Sequence, residues 1–321
     1  MNRPEHLSPN QKAWRRFRRN RPAAAASILL AFLVLAVLLW PLFSRPGIAP
    51  RLPAALTHPP DAISDAQFQP PGSGHWFGTD VHGRDLLSRV CHGARISLLV
   101  GLVGAAVSLV IGVLWGATAG YCGGRRDAVM MRFVDVLYAM PSIIFVIVLI
   151  TALNAVLEKM QSGPNGLSTG GARFLQFAGL FAGLGAVSWL TMARIVRGQV
   201  LSLRHRAFVD ASRVLGASHA RIILRHILPN VYGVIIVYLT LTIPSIILYE
   251  SFLSYLGLGI QPPQASLGSL IASGAEQINS IRIYWWLIVY PAATLALTLL
   301  ALNFVGDGLR DAWDPRSENR A

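Results

Sequence analysis

The sequence predicts an all-α integral membrane protein with six transmembrane helices, and three observations carry that prediction. Of its 321 residues 53% are hydrophobic and 13% charged, about half the roughly 25% charged fraction of soluble domains. Six runs approach the ~20 apolar residues that cross ~30 Å of hydrocarbon. Basic residues are also shared unequally between alternate connecting segments.

The first span, Ala23–Phe43, follows a basic stretch that includes Arg15, Arg16, Arg18, Arg19 and Arg21. This run is longer than a signal-peptide core, and Ser44-Arg45-Pro46 is a poor small-residue cleavage site, so it reads as an uncleaved anchor. The remaining spans are placed at Ile96–Tyr121, Val129–Val156, Phe174–Met192, Val231–Leu256 and Tyr284–Val305. With a cytoplasmic N-terminus, the inner segments carry 7, 3, 7 and 3 Lys or Arg and the outer ones 5, 2 and 1. That is the inside-positive asymmetry, with both termini cytoplasmic. The net charge of +13 is therefore a topology signal and not a nucleic-acid footprint. The resulting organisation is a basic cytoplasmic N-terminus (1–22), a first transmembrane helix (23–43), an outer segment (44–95), five further spans (96–305) holding a cytoplasmic loop (193–230), and a cytoplasmic tail (306–321).

The outer segment begins Pro-rich and irregular. It changes at Gly78-Thr79-Asp80, a turn predicted to feed a short amphipathic helix with Leu86, Leu87 and Val90 on one side. The loop Gly257–Arg282, with Gln261-Pro262-Pro263, is too polar to span. Gly101, Gly104, Ala105, Ala106, Gly112, Gly116 and Gly120 give the second span small faces for close helix contact. Pro141 and Pro244 lie inside the third and fifth spans and are expected to kink them, either for packing or to bend them around a substrate path. Cys91 and Cys122 flank the second span, about a membrane thickness apart at ~1.5 Å per helical residue, too far for a disulfide.

The most informative stretch is Phe208–Asn230, two short helices hinged at Gly216 and stopped at Pro229. Phe208, Ala211 and Leu215 share one helical face, and Ala220, Ile223, Leu224 and Ile227 form a second apolar stripe. Arg206–Asp210 and Asp210–Arg213 are spaced to pair. Periodicity leaves two readings open: a helix lying on lipid headgroups, with five arginines between Arg204 and Arg225, or a hairpin held out for another protein.

The stretch resembles the coupling loop of ABC importer permeases: Asp210-Ala211-Ser212 stands for the Glu-Ala-Ala triplet, with Arg213 next to it. Gly216 and Ala217 stand at the turn, and Leu228-Pro229 close the loop. Asp replaces Glu, Ser212 replaces Ala, and His226 occupies a usually apolar position. FGTDVHGRDLLSRV, GYCGGRRDAVMMRFVD, MARIVRGQVLSLRHRAFVDA and SFLSYLGLGIQPP extend the resemblance from Trp14 to Arg316, to oligopeptide and dipeptide importer permeases and most closely to their C-type subunit. The resemblance implies a type I ABC importer permease core of five helices plus an N-terminal helix, in a bacterial inner membrane. It implies a homologous permease as heterodimer partner, two cytoplasmic ATPases and a periplasmic peptide-binding protein. It also implies oligopeptide import, or the same architecture serving dipeptides, nickel chelates or opines. No cofactor is expected on this chain; ATP and Mg belong to the partner ATPases. In agreement, neither lysine, Lys12 after Gln11 or Lys159 after Glu158, sits in a Gly-Lys-Ser/Thr phosphate loop.

Buried charge remains. Glu250, in the outer third of the fifth span, should face the bundle interior or water, touching a substrate amino group or pairing with a partner-subunit cation. Asp135 is read as an i,i+3 partner of Arg132. Asp80, Arg84 and Asp85 lack a nucleophile and read as structural or docking residues; His75, His82 and His92 lack metal-ligand spacing. A self-contained secondary transporter would need more ion-coupling charge within its spans than Glu250 and Asp135 supply.

Overall fold

The computed structural model describes residues 9–43, 56–161, 169–260, 264–278 and 281–313. The start of the outer segment, Gln261-Pro262-Pro263 and the tail beyond Trp313 therefore lie outside the described residues. Among the described residues the chain is helical, with one isolated bridge, Thr79 to Asp85, and no strand. Six helices are long and apolar enough to cross a membrane: Arg21–Phe43, Leu86–Cys122, Ser142–Met160, Ala178–Leu203, His219–Tyr255 and Trp286–Trp313.

The elements in order are α1 (Pro9–Arg19), α2 (Arg21–Phe43), α3 (Leu86–Cys122), α4 (Gly124–Ala139), α5 (Ser142–Gln161) and α6 (Thr169–Leu203). There follow α7 (Ala207–Val214), α8 (His219–Arg221), a π-helical turn (Ile222–Ile227), α9 (Leu228–Tyr255), α10 (Leu267–Ala275) and α11 (Trp286–Trp313). Two compact units share the long helices: one comprises Met1–Ala25, Leu102–Ile246 and Asn303–Ala321, the other Ala26–Gly101 and Ile247–Leu302.

Several edges differ from the sequence expectation. The third span is not one kinked helix over Val129–Val156. It is two helices, broken at Met140-Pro141, and only Ser142–Met160 qualifies as a span. The cause is local: a residue before proline is pushed out of the α region, and Met140 is extended, with φ −79° and ψ 138°. Pro244 behaves differently, because α9 runs through it unbroken. In the surrounding turns the hydroxyls of Thr240, Thr242 and Ser245 donate to the carbonyls of Val237, Tyr238 and Leu241. Pro41 and Pro291 also lie inside helices. No separate amphipathic helix precedes the second span; Leu86 opens a continuous 37-residue helix, α3. Likewise α6 runs to Leu203 and α11 to Trp313, past the predicted span ends.

In the first unit α3 and α6 meet backbone to backbone. A Cβ at Gly112 would lie 2.6 Å from Met192 Cβ, at Gly116 2.3 Å from the Ala193 carbonyl oxygen, and at Gly120 2.8 Å from that of Arg197. Small residues one helical turn apart permit this approach. Arg197 closes the same side by donating twice to Asp127 of α4, at 2.6 and 2.7 Å, the bidentate geometry that makes Arg–carboxylate pairs strong. The helix α1, absent from the sequence reading, packs Ala13 and Phe17 with Ala23 and Ala312, against Leu309 and Trp313 of α11. Its signal was available: Ala13 and Phe17 are i,i+4 among arginines.

In the second unit Asp80 is the hub of the turn before α3. It accepts from Arg84 Nε (2.8 Å), Arg89 Nη1 (3.1 Å) and the backbone N–H of His82 (2.8 Å). Asp85 accepts from Ser88 N–H at the start of α3 and lies 2.8 Å from His75 Nδ1, the capping that unsatisfied first-turn amides require. Asp80, Arg84 and Asp85 thus hold a loop in shape, and Arg89, which sequence reading passed over, is buried with Asp80 and Asp85. The short helix α10 is capped reciprocally by Ser266 and Ser269. It packs so closely that a Cβ at Gly268 would lie 2.4 Å from the Ser251 carbonyl oxygen.

Adding one methyl group at Gly116 overpacks the α3–α6 contact, at a cost of about 1–3 kcal/mol, whereas Gly198, with nothing within 4 Å, has room. Gly116→Ala should lower the melting temperature of the detergent-solubilised protein by several degrees and Gly198→Ala should not. Equal melting of both variants and the wild type would contradict the close-approach account.

Candidate coupling hairpin

The hairpin is built from its turns upward. After α6, Arg206 is extended (φ −79°, ψ 146°) and opens α7. α7 ends where Gly216 takes φ 76° and Ala217 N–H returns to the Ser212 carbonyl at 3.0 Å, the left-handed closure that glycine makes without a Cβ penalty. The Ser218 hydroxyl then accepts from Arg221 N–H and starts the second arm.

The second arm does not stop at Pro229. His219–Tyr255 is one continuous helix, widened by the π-turn Ile222–Ile227 just before the proline. Proline cannot donate to the helix ladder and crowds the carbonyl four residues back. The wider i→i+5 turn opens that register, and Asn230 Nδ2 donates to the exposed His226 carbonyl at 2.6 Å.

The π-turn also changes which side chains face inward. The expected stripe of Ala220, Ile223, Leu224 and Ile227 assumed α periodicity. Of that stripe Ile227 is fully buried and Ile223 packs against the base, while Leu224 is 58% exposed and Ala220 exposed, and Ile222 takes the other fully buried position. In the first arm Val209 carries the inward face. The predicted Phe208, Ala211 and Leu215 stripe exists but points outward, and at the tip Val214 and Leu215 are 88% and 85% exposed. The hairpin therefore has a dry base and an apolar, unpartnered tip.

The base is one cluster: Val209, Ile222 and Ile227 pack with Val113, Ala117 and Tyr121 of α3, Met192, Val196 and Val200 of α6, and Val231 and Ile235 of α9. Complete burial of each such side chain is worth about 1.5–3 kcal/mol, far more than the exposed Asp210–Arg213 pair at 3.0 Å, of a few tenths. Asp210 pairs with Arg213; the predicted side-chain partnership with Arg206 is replaced by a backbone bond from Asp210 N–H to the Arg206 carbonyl. Arg213 also donates to Tyr121 Oη at 3.5 Å, which, with Asp210, holds its guanidinium pKa above the usual value.

Other sequence candidates lie elsewhere. Asp135 pairs not with Arg132 but with Arg194 of α6 at 2.8 Å, and Arg194 stacks over Tyr138. Glu250 is fully buried within this chain, among serine hydroxyls. Ser254 donates to Oε1 at 2.6 Å, Ser97 to Oε2 at 3.1 Å and Ser251 to Oε2 at 3.5 Å. Ser254 and Ser97 in turn accept from Ile260 N–H and Leu267 N–H, so the carboxylate ties α3 and α9 to the connection toward α10. Ser97 is 153 residues from Glu250 in sequence, a distance that no spacing rule reaches. His75 and His92 have separate partners, Asp85 and Gln264.

Among the described residues there are thus six candidate spans, with an ordered helical hairpin between the fourth and the membrane part of the fifth. The fold matches that of a chain in inward-facing structures of the MetNI methionine ABC transporter, with TM-score 0.51 at 18% identity, covering 68% of this chain and 94% of that one. Residues 112–319 match the model of the binding-protein-dependent transport system inner membrane component family, and the chain belongs to it. Residues 8–71 match the N-terminal transmembrane domain of oligopeptide transport permease C. Relatives include the oligopeptide transport system permease proteins of Haemophilus influenzae (44% identity; 95% of this chain, 88% of that one) and Escherichia coli strain K12 (45%; 95% and 91%). The dipeptide transport system permease protein of Bacillus subtilis is 42% identical, over 97% of this chain and 87% of that one.

Glu250→Gln replaces an acceptor of several hydroxyls by a group that also donates. Hydrogen bonds to a charged group are worth about 1.5–3 kcal/mol, so this variant should melt several degrees lower with unchanged preference among transported peptides. Unchanged melting with altered preference would return Glu250 to the substrate path.

Proposed function

We propose that this chain is the permease subunit of an ATP-driven, binding-protein-dependent importer of oligopeptides, and that the hairpin Ala207–Ile227 is where a partner ATPase grips it. The observation that carries the proposal is the division of labour within the hairpin: an apolar tip at Val214 and Leu215 left in the open, on a base buried in the cluster of α3, α6 and α9. Contiguous exposed apolar surface on an ordered element marks a protein contact. A base packed on three long helices passes a push at the tip to them without absorbing it in loop motion. Asp210, Ala211, Ser212, Arg213, Gly216 and Ala217 shape the tip, and Leu228-Pro229 joins it to α9.

In this reading the hairpin and both termini are cytoplasmic, as the basic-residue asymmetry supports. The chain itself is not catalytic. ATP and Mg are used by two ATPase subunits, a homologous permease completes the pathway, and a periplasmic binding protein delivers the peptide. Pro141, at a break between two helices, and Pro244, inside an unbroken one, are in this reading the positions where helices open around the path. Oligopeptides are favoured over dipeptides by the N-terminal domain match and by the names of the relatives at 44–45% identity; the dipeptide permease at 42% supports the second reading.

Proline at 216 cannot reach φ 76°, and lysine at 210 reverses the charge beside Arg213. In proteoliposomes holding the whole complex and its binding protein, Gly216→Pro and Asp210→Lys should insert normally yet lower ATP-driven uptake of casein-digest peptides at least tenfold. Undiminished uptake would refute the coupling assignment, and accumulation of dipeptides alone would favour the dipeptide reading.

A further inference from the structure

We infer that Tyr121 is the positioning residue that fixes the hairpin in register with α3, a role that rests on the coupling reading above. Tyr121 is the penultimate residue of α3, 6% exposed, with its ring in the cluster that buries Val209, Ile222 and Ile227. Its hydroxyl emerges between the two arms. It lies 3.0 Å from His219 Nδ1, the first residue of α8, and 3.5 Å from Arg213 Nε, in the last turn of α7. The Arg213 guanidinium also sits over the Tyr121 ring, 5.2 Å from its centroid, and the His219 ring is tilted against it at 5.6 Å.

One side chain of a membrane helix thus holds both arms on either side of the Gly216 turn. The cluster around the ring is apolar, and Arg204, just before α7, adds one long bond to the Gly120 carbonyl at 3.5 Å. Apolar contacts are non-directional, so they resist separation of the hairpin from α3 but resist sliding or rotation much less. A hydrogen bond weakens steeply off its axis, and two bonds from one oxygen to two arms fix both position and rotation. The donor arithmetic closes: Arg213 Nε–H donates to Oη, and the tyrosine O–H is left to donate to His219 Nδ1 in the tautomer that carries its proton on Nε2. Neither bond is needed to bury the ring. Folding therefore does not require the hydroxyl, whereas transmission of a displacement from tip to α3 does.

The inference separates structural support from coupling. Tyr121→Phe keeps the ring and the apolar cluster and removes only Oη. In proteoliposomes of the complete complex with its binding protein, it should insert, assemble and hydrolyse ATP at near wild-type rates while moving about fivefold fewer casein-digest peptides per ATP. Fivefold is the low end of what one modest interaction changes in an equilibrium. His219→Gln attacks the same link from the exposed side, where packing cannot suffer. It should retain part of the coupling, and His219→Ala should lose it as Tyr121→Phe does. The double variant Tyr121→Phe/His219→Ala should be no worse than either single change, the non-additivity expected of residues acting as one unit. Equal falls in uptake and hydrolysis, or fully additive losses, would make Tyr121 a packing residue only. Wild-type coupling in Tyr121→Phe beside abolished uptake in Gly216→Pro would overturn this inference and leave the hairpin assignment standing. Wild-type uptake in both would overturn the two together.

Discussion

Burial of Val209, Ile222 and Ile227 against α3, α6 and α9 is the contact on which the hairpin's geometry depends. Without it the Ala207–Ile227 segment would be a basic amphipathic excursion of the chain, free to lie in any orientation. With it, three apolar side chains from two short arms become part of the first unit's interior. That interior exists because α3 presents Gly112, Gly116 and Gly120 where α6 needs space for its backbone. The exposed tip is a consequence of the same arrangement: once Val209 points inward, Val214 and Leu215 point out.

The second unit solves a different problem with polar groups. Asp80 with Arg84 and Arg89, and Glu250 with its serines, are polar groups in buried surroundings whose partners come from turns and helix ends. A buried polar group costs several kcal/mol unless it is hydrogen-bonded, so the Asp80 and Glu250 carboxyl groups each accept from more than one donor. These clusters fix the connections before α3 and before α10. Specificity of loop placement comes from polar satisfaction there, and from apolar packing at the hairpin.

Much of the fold was legible because it follows from rules of short range. Apolar run length marked five of the six spans directly, and the Gly216 turn followed from glycine's freedom at positive φ. What was not legible depended on a departure from those rules. The second arm's inward face was misassigned because a π-turn sits at Ile222–Ile227, and a stripe drawn at α spacing cannot register the shift. Pro141 and Pro244 carry the same sequence signal, yet one follows a helix break at an extended Met140 and the other lies inside an unbroken helix. Glu250 was recognised as buried, but its Ser97 partner comes from a distant segment, as do the Arg194 partner of Asp135 and the Tyr121 link to His219.

The sequence left the hairpin between two fates, a helix on lipid headgroups or a handle for a motor. The outward Phe208, Ala211 and Leu215 stripe on a fixed base favours the handle, and one measurement separates the two. A photo-crosslinking phenylalanine analogue placed at Leu215 in the assembled complex, and activated in the membrane, should form its main product with the ATPase subunit. Cross-linking chiefly to phospholipid, with the complex intact, would contradict the account.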